Sequence, residues 1–417
     1  MRMLEVLINA DHVATLRDDG GVWSLSYTSG WRSSATGYDL SPALPRARET
    51  IVDSSSYRPV QWFFDNLLPE EHARSLLAND ARIEFADAFG LLGYYGSESA
   101  GAITLLEDLA QDQPDGLRPL TDARLSERIR NLPHSALTTG APKRMSLAGA
   151  QHKLPVVIVG NALFEPEGNT PSTHILKPDH PLRELYDATA INEWFVMRLA
   201  RVMNLAVPDV SFRRVPEAVY LIERFDRMGH GERLERIHVL DACQLLALDK
   251  SFKYHQATPE TLLKILDLVR NVAQTRMQLF RWLVFNILVG NNDAHLKNLS
   301  FFMHPDACYL APHYDLLCTA VYGDSAAPWL DAEMVWKPDG VRTHGEVTRD
   351  SVLSLGEAIG VRGALGQRII DELVPGTETQ AKALLDQHVD GLNAGESRLV
   401  RRIVHGVIRD MTQRLRY

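Results

Sequence analysis

The sequence predicts an α+β protein whose first part mixes strands with helices and whose last part is helical. Three observations carry this expectation. Residues 1 to about 40 alternate apolar and polar positions, as in LEVLI and VWSLSY; short apolar runs such as LPVVIV and HILKP follow; and from about Asp241 apolar residues at spacings of three and four dominate. With 417 residues there is room for two or three domains, and 45% hydrophobic with 23% charged content is ordinary for a globular chain. The changes of character divide the chain into residues 1–108, 109–240 and 241–417.

Taken in order, Asp18-Asp19-Gly20-Gly21 is a turn between two alternating runs and predicts a β-hairpin that opens a small sheet. WFFDNLLPEEHARSLLAN reads as helical, with Pro69, Glu70 and Glu71 as a first-turn signature, and a further helix is expected over Phe85 to Leu92, ending at Gly93. GYYGSESAGAITLL is a glycine-bearing loop entering a strand. Residues 108–135, rich in Asp, Pro and Arg, read as a connection plus a short helix. ALTTGAPKRMSLAGAQHK is small, polar and basic ahead of the buried strand LPVVIV; such a loop is either a mobile linker or a place where backbone N–H groups approach phosphate oxygens.

HILKP is a strand that delivers Lys177, and the helix expected over Asp187 to Met203 buries Ile191, Phe195, Leu199 and Val202 while carrying Glu193 as a partner for that lysine. VYLIERFDR is a strand turning polar at Glu223. The remaining segments, from LDACQLLALD to the final RLVRRIVHGVIRDMTQRLRY, have helical spacing, the last with an apolar face for the core and arginines for solvent.

The chemistry concentrates in LFRWLVFNILVGNNDAHLKNLS, Leu279 to Ser300, where an apolar helix runs directly into a polar turn. Asp293 and Asn298 stand at D-x-x-x-x-N, the interval of a protein-kinase catalytic loop, in which the Asp accepts the substrate hydroxyl proton and the Asn holds magnesium. Downstream, His313-Tyr314-Asp315-Leu316 supplies a second carboxylate after a strand-like return, the place of a kinase metal ligand. Lys177 with Glu193 has the logic of the kinase lysine–glutamate pair, and Glu223 and Phe225 stand either at an ordinary strand end or, in a two-lobed kinase, as candidates for the hinge that presents backbone groups to adenine. An Asn-Asn-Asp run after a glycine is also what a plain helix stop looks like.

Composition excludes other classes. A net charge of −9 argues against a protein that coats nucleic acid. Three cysteines without a CxxC pair suit a reducing compartment, and His304, Cys308 and His313 lack a fourth ligand at zinc-finger spacing. No run approaches the roughly 18 apolar residues of a membrane span, and the N-terminal stretch is charged where a signal core is apolar, so the expectation is a cytoplasmic protein.

The order SLAGAQHK, HILKP, NEW, ERFDR, GNNDAHLKN, HYDLL resembles the HipA family of serine/threonine protein kinases, toxins of HipBA toxin–antitoxin pairs, and WFFDNLLPE with AGAI resembles that family's N-terminal subdomain. The resemblance implies a two-lobed, protein-kinase-like α+β fold with an extra N-terminal subdomain and an all-helical C-terminal lobe. It implies autophosphorylation at Ser146, a phosphate-binding loop of Ala148, Gly149, Ala150, Gln151, His152 and Lys153, and Lys177 as nucleotide-binding lysine. Glu223, Phe225 and Asp226 match adenine and ribose contacts, and His295, Lys297 and Tyr314 fall within nucleotide-binding stretches. Asp293 matches the catalytic base, Asn298 and Asp315 the magnesium ligands, so ATP and Mg2+ are the implied cofactors. A HipB-like helix-turn-helix antitoxin, operator DNA reached mainly through it, and an aminoacyl-tRNA synthetase such as glutamyl-tRNA synthetase are the implied partners. The chain departs from the family pattern at His152, where an acidic residue is expected, and at Ala294, where arginine is frequent. A small-molecule phosphotransferase and a non-catalytic corepressor are the competing classes.

Overall fold

The structure, a computed structural model, describes residues 1–110, 114–145 and 147–416. Its N-terminal part is a five-stranded antiparallel sheet in the order Thr50–Val52, Val22–Tyr27, Asp11–Asp19, Arg2–Ile8, Ile103–Leu106. The period-2 pattern puts Leu4, Val6, Ile8, Leu16, Trp23 and Leu25 on one buried face. The expected hairpin is there, with Gly20 and Gly21 at positive φ in its turn and the Gly21 N–H donating to Asp18 Oδ1 at 2.8 Å, but it belongs to a three-stranded meander. The stretch WFFDNLLPEEHARSLLAN, read as helical, holds two helices, Pro59–Asp65 and Glu71–Ala81, the second opening at the expected first turn. The next helix is Ala88–Tyr95, not Phe85 to Leu92: Asp87 caps it by accepting from Gly90 N–H at 3.0 Å, and Gly93 is carried inside it because Leu4 Cδ2 lies 3.3 Å from where a Cβ would stand.

A six-stranded antiparallel sheet follows, ordered Val210–Arg214, Ala218–Glu223, His174–Pro178, Leu154–Val159, Ala162–Glu167, Gly116–Pro119. Alternation along its strands feeds two cores. Val219 and Leu221 join Leu125 and Ile129 of the helix Asp122–Arg130, whereas Tyr220 and Ile222 join the main core with Ile191 and Phe195 of the helix Thr189–Val202. The strand Gly116–Pro119 lies within the segment read as connection and helix; a proline is tolerated there because the strand is at the sheet edge.

The C-terminal part is built on the helix Val272–Val289, whose residues Leu279, Phe280, Trp282, Leu283, Val284 and Phe285 are all buried. Around it pack Pro259–Leu266, Arg349–Ala358, Ala364–His388, Arg409–Arg416 and a π-helical segment at 403–408 that buries Ile403, Val404, Val407 and Ile408, while Ala394–Arg402, leading into that segment, packs on the helix Thr189–Val202. This part is not all-helical as expected. Ser300–Met303 pairs with Cys308–Leu310 and with Val239–Asp241 in a three-stranded sheet, because the polar loop after the long helix must return across its end and can satisfy its backbone only by pairing. No helix among the described residues is long and apolar enough to cross a membrane.

Glu98, in the glycine-bearing loop, ties the N-terminal sheet to the rest. Its side chain is fully buried, and its oxygens accept from Lys143 Nζ at 2.9 Å, Arg227 Nη2 at 2.7 Å, Arg236 Nη2 at 3.0 Å, Arg224 Nη1 at 3.2 Å and Ser172 Oγ at 2.9 Å. Burial alone would raise this carboxyl, but Lys143, Arg227, Arg236 and Arg224 outweigh it and hold it well below the usual carboxylate range. Its contribution to stability is therefore complete above the unfolded-state value of about 4.3 and is lost as the pH falls through the folded-state value. Glu98→Gln, which leaves Arg224 and Arg227 with Asp226 but strips Lys143 and Arg236 of their carboxylate, is expected to destabilise the protein by about 3–5 kcal/mol at pH 7. Urea unfolding at pH 7 and in acid checks this: the gap to wild type should narrow as the pH drops below about 4.

Candidate active site

The loop following the long helix is positioned by its helix end. Gly290 takes φ +66, and the N–H groups of Gly290 and Asn291 return to the last turn, Asn291 N to Asn286 O at 2.9 Å. A side chain at 290 would be strained in that conformation and would also meet Val407 Cγ1 at 2.7 Å. Asn291 then fixes the turn through Nδ2 to Asn286 Oδ1 at 2.8 Å and by accepting the Asp293 N–H at 3.1 Å. Asn298 Nδ2 donates to the Asp293 carbonyl at 2.9 Å, so the two motif residues hold one another.

These residues open onto a cleft of about 280 Å³ lined by Asp293, Asn298, Asp315 and Lys177 together. Lys177 Nζ lies 2.8 Å from Glu193 Oε1 and 2.5 Å from Asp315 Oδ1. One cation between two carboxylates in a buried site is an unequal arrangement, and the groups divide accordingly. Although burial works to raise Asp315, Lys177 and Lys153 bring it down to about 2; burial, opposed by Lys177 but reinforced by Asp315, pushes Glu193 up to about 7. Asp315 itself stands at φ +58, in the left-handed region, which turns its side chain out of the chain's extended path.

Asp293 is raised to about 6, chiefly by burial and further by Asp315, against the hydrogen bond that Tyr254 Oη donates to Asp293 Oδ1 at 2.5 Å. Asn298 Oδ1 and Asp315 Oδ2 carry no hydrogen bond among the described residues. Hard oxygen donors of this kind suit Mg2+, which takes one or two carboxylates and completes its shell with water and phosphate. No three His, Cys, Asp or Glu side chains gather as a metal cage among the described residues.

The loop expected to bind phosphate lies over the same cleft. Ala148, Gly149, Ala150, Gln151 and Lys153 line it; Gly149 takes φ +106, and its carbonyl accepts the Glu70 N–H at 3.2 Å. Lys153 Nζ donates to the Ala148 carbonyl at 2.6 Å, and burial, with Lys177 nearby, lowers that ammonium to about 8. His152 does not face the cleft. Its ring packs edge-on against His72 at 5.9 Å in a neighbouring recess, and burial lowers it to about 4. Ser146 lies outside the described residues.

Of the other predicted positions, Glu223, Phe225 and Tyr314 line the cleft, the two rings 5.6 Å apart. Asp226 reaches it too, but both its oxygens are taken, by Arg224 at 2.9 and 2.6 Å and by the Gly101 N–H at 2.7 Å, which fits a brace better than a ribose contact. Lys297 is likewise committed: its Nζ meets Asp241 Oδ2 and Asn66 Oδ1, each at 2.7 Å. His295 packs edge-on to Tyr254 at 5.0 Å, and burial drives it down to about 3, so it is neutral. Sequence reasoning gave no cleft role to Tyr254 or to the cleft residues of the N-terminal part, Leu67, Glu71 and Gly101; they stand outside the kinase-like motifs and reach the cleft only through long-range packing.

Comparison with known proteins decides the family. Residues 145–381 match the HipA-like C-terminal domain and residues 4–106 the HipA N-terminal domain. The chain belongs to the HipA family. It is 33% identical over 413 residues to the putative kinase Y4mE of Sinorhizobium fredii, covering 92% of this chain and 95% of that one. To the serine/threonine-protein kinase toxin HipA of Shewanella oneidensis it is 32% identical over 321 residues, 72% of this chain and 71% of that protein. Its fold matches a chain of the solved Shewanella oneidensis MR-1 complex of HipA, HipB and operator DNA with a TM-score of 0.81 and 25% identity, covering 99% of this chain and 97% of that one. The resemblance drawn from motif order is thus borne out, and this HipA-family chain is a serine/threonine protein kinase.

Removing the central cation tests the charge arrangement. Lys177→Met leaves Glu193 and Asp315 without the cation that touches both, with only the more distant Lys153 nearby, and is expected to cost about 3–5 kcal/mol at neutral pH. Adding Glu193→Gln should restore part of that loss, and denaturant unfolding of wild type, single and double variants measures it as a coupling energy.

Proposed function

We propose that this chain transfers the γ-phosphoryl group of ATP to serine or threonine hydroxyls of a protein, as the toxin of a toxin–antitoxin pair. The observation that carries the reading is one cleft in which Asp293, Asn298, Asp315 and Lys177 converge from three separate stretches of the chain. Phosphoryl transfer asks the protein chiefly for alignment and charge stabilisation. Asp293, whose carboxyl is raised but still ionised at neutral pH, accepts the hydroxyl proton. Lys177, aimed by Glu193, takes the phosphate charge, and the backbone of the Ala148–Lys153 loop closes over it. Asn298 and Asp315 would hold Mg2+, which when bound neutralises charge on the β- and γ-phosphates. Ile222, Phe225 and Tyr314 offer an apolar wall for the base, with the end of the Ala218–Glu223 strand presenting backbone groups to its edge.

On this reading residues 109–240 and 241–417 are the two lobes of a kinase-like fold and residues 1–108 an added subdomain. The solved HipA assembly with HipB and operator DNA supports a helix-turn-helix antitoxin as partner, with DNA reached through it. The family supports an aminoacyl-tRNA synthetase, glutamyl-tRNA synthetase first, as acceptor. Ser146, next to the phosphate loop, is the proposed autophosphorylation site. A phosphate there adds about −1.5 to −2 charges beside a loop that must receive ATP phosphates.

Two expected outcomes follow. Asp293→Asn should lower transfer from radiolabelled ATP at least roughly 100-fold while a non-hydrolysable ATP analogue still binds by calorimetry; transfer at the wild-type rate would remove Asp293 from the chemistry. Ser146→Asp should weaken that analogue's binding, and equal affinity in the two proteins would rule out a charge switch at this position.

A further inference from the structure

The proposed base has one hydrogen-bond donor on its carboxylate among the described residues, the phenol of Tyr254. That phenol meets Oδ1; Oδ2 carries no hydrogen bond among the described residues, and Asp293 lines the cleft. Tyr254 comes from a segment outside the catalytic loop, and the segment is braced from several sides. Asp249 caps its turn by accepting from Ser251 N at 2.9 Å and Ser251 Oγ at 2.6 Å. The Lys253 carbonyl accepts the N–H of Leu296, three residues beyond Asp293, at 3.1 Å. Lys253 Nζ reaches Glu70 Oε2 at 2.6 Å, and Lys250 Nζ reaches Asp65 Oδ2 at 2.8 Å, so the N-terminal part anchors the segment as well. The ring itself stands edge-on to His295 at 5.0 Å with the Lys253 ammonium 5.1 Å from its centre.

From this geometry we infer that Tyr254 is a positioning residue for phosphoryl transfer, its hydroxyl fixing one oxygen of Asp293 so that the other is presented to the acceptor. The inference rests on the reading of Asp293 as proton acceptor. In the step, the acceptor O–H bond breaks as its proton passes to Asp293 Oδ2, the acceptor oxygen bonds to the γ-phosphorus, and the P–O bond to the leaving ADP breaks. Tyr254 keeps its own proton throughout. A carboxylate with no other donor would turn about its last torsion, and a displacement of even an ångström at a reacting group costs on the order of 100-fold in rate. The alternative, a phenol that plugs the site and must leave, does not use the unoccupied oxygen, and the bracing from Asp249, Glu70 and Leu296 opposes such a departure.

Tyr254→Phe removes only the hydroxyl from a side chain that is nearly half exposed (46%), so the ring contacts and the fold remain. Label transfer from radiolabelled ATP to the full chain itself is measured at varied ATP for wild type, Tyr254→Phe, Asp293→Asn and, as a neighbouring exposed-ring control, Phe252→Ala. Expected are a maximal rate roughly 10- to 100-fold lower for Tyr254→Phe, an unchanged KM for ATP, an unchanged thermal midpoint and a wild-type rate for Phe252→Ala. A wild-type or faster rate for Tyr254→Phe, with Asp293→Asn inactive, overturns the positioning role and leaves the base assignment standing. So does a fall in thermal midpoint or a raised KM that accounts for the lost activity, since a merely structural residue behaves that way. Full activity of Asp293→Asn instead overturns the base assignment, and this inference with it.

Discussion

Charge cannot be left unpaired in the interior, and in this protein the counter-charges come from far along the chain. Glu98 meets its four cations across separations of 45 to 138 residues. The same rule joins Lys177 to Asp315, Lys253 to Glu70 and Lys297 to Asp241. Removing one member of such a set strands the others in a medium that solvates them poorly. The three parts of the chain are therefore locked together by the groups that line or underlie the cleft, and apolar packing fills the space around them.

That constraint also explains how an N-terminal part without a kinase motif bears on the chemistry. Glu70 reaches Lys253 with its side chain and the phosphate loop at Gly149 with its backbone, while Gly101 donates to Asp226 beneath the cleft. Glu71, at φ +48, stands in the cleft wall. A strained backbone at such a place persists only where the surroundings over-determine it, as the helix Glu71–Ala81 and the Gly149 contact do here.

Local signals proved good where chemistry and periodicity coincide. The D-x-x-x-x-N interval, the strand-end Lys177 and the helical Glu193 were readable because each rests on a few adjacent residues, and the structure brings them into one place. The apolar run VYLI, turning polar at Glu223, likewise foretold a strand. What failed did so for identifiable reasons. Gly116–Pro119 carries both residues that argue against a strand and forms one only because an edge tolerates them. Ser300–Met303 and Cys308–Leu310 are too short to show a period, so the last part was expected to be wholly helical. Of the residues in the nucleotide-binding motifs, His152 turns away from the cleft toward a neighbouring ring, whereas Asp226 and Lys297 line it with a guanidinium and a carboxylate against their side chains.

By itself, the sequence settled the α+β class, the apolar rod with its polar turn, and the order of motifs by which the family is known, since these depend on spacing along a few turns or strands. Only the tertiary structure decided which charged groups remain available at the cleft and which are spent on holding it. The reason is electrostatic: a side chain's availability depends on what lies within about 3 Å of it, and for Asp293, Lys297 and Asp226 the neighbours Tyr254, Asp241 and Gly101 are brought there by the folding of distant segments.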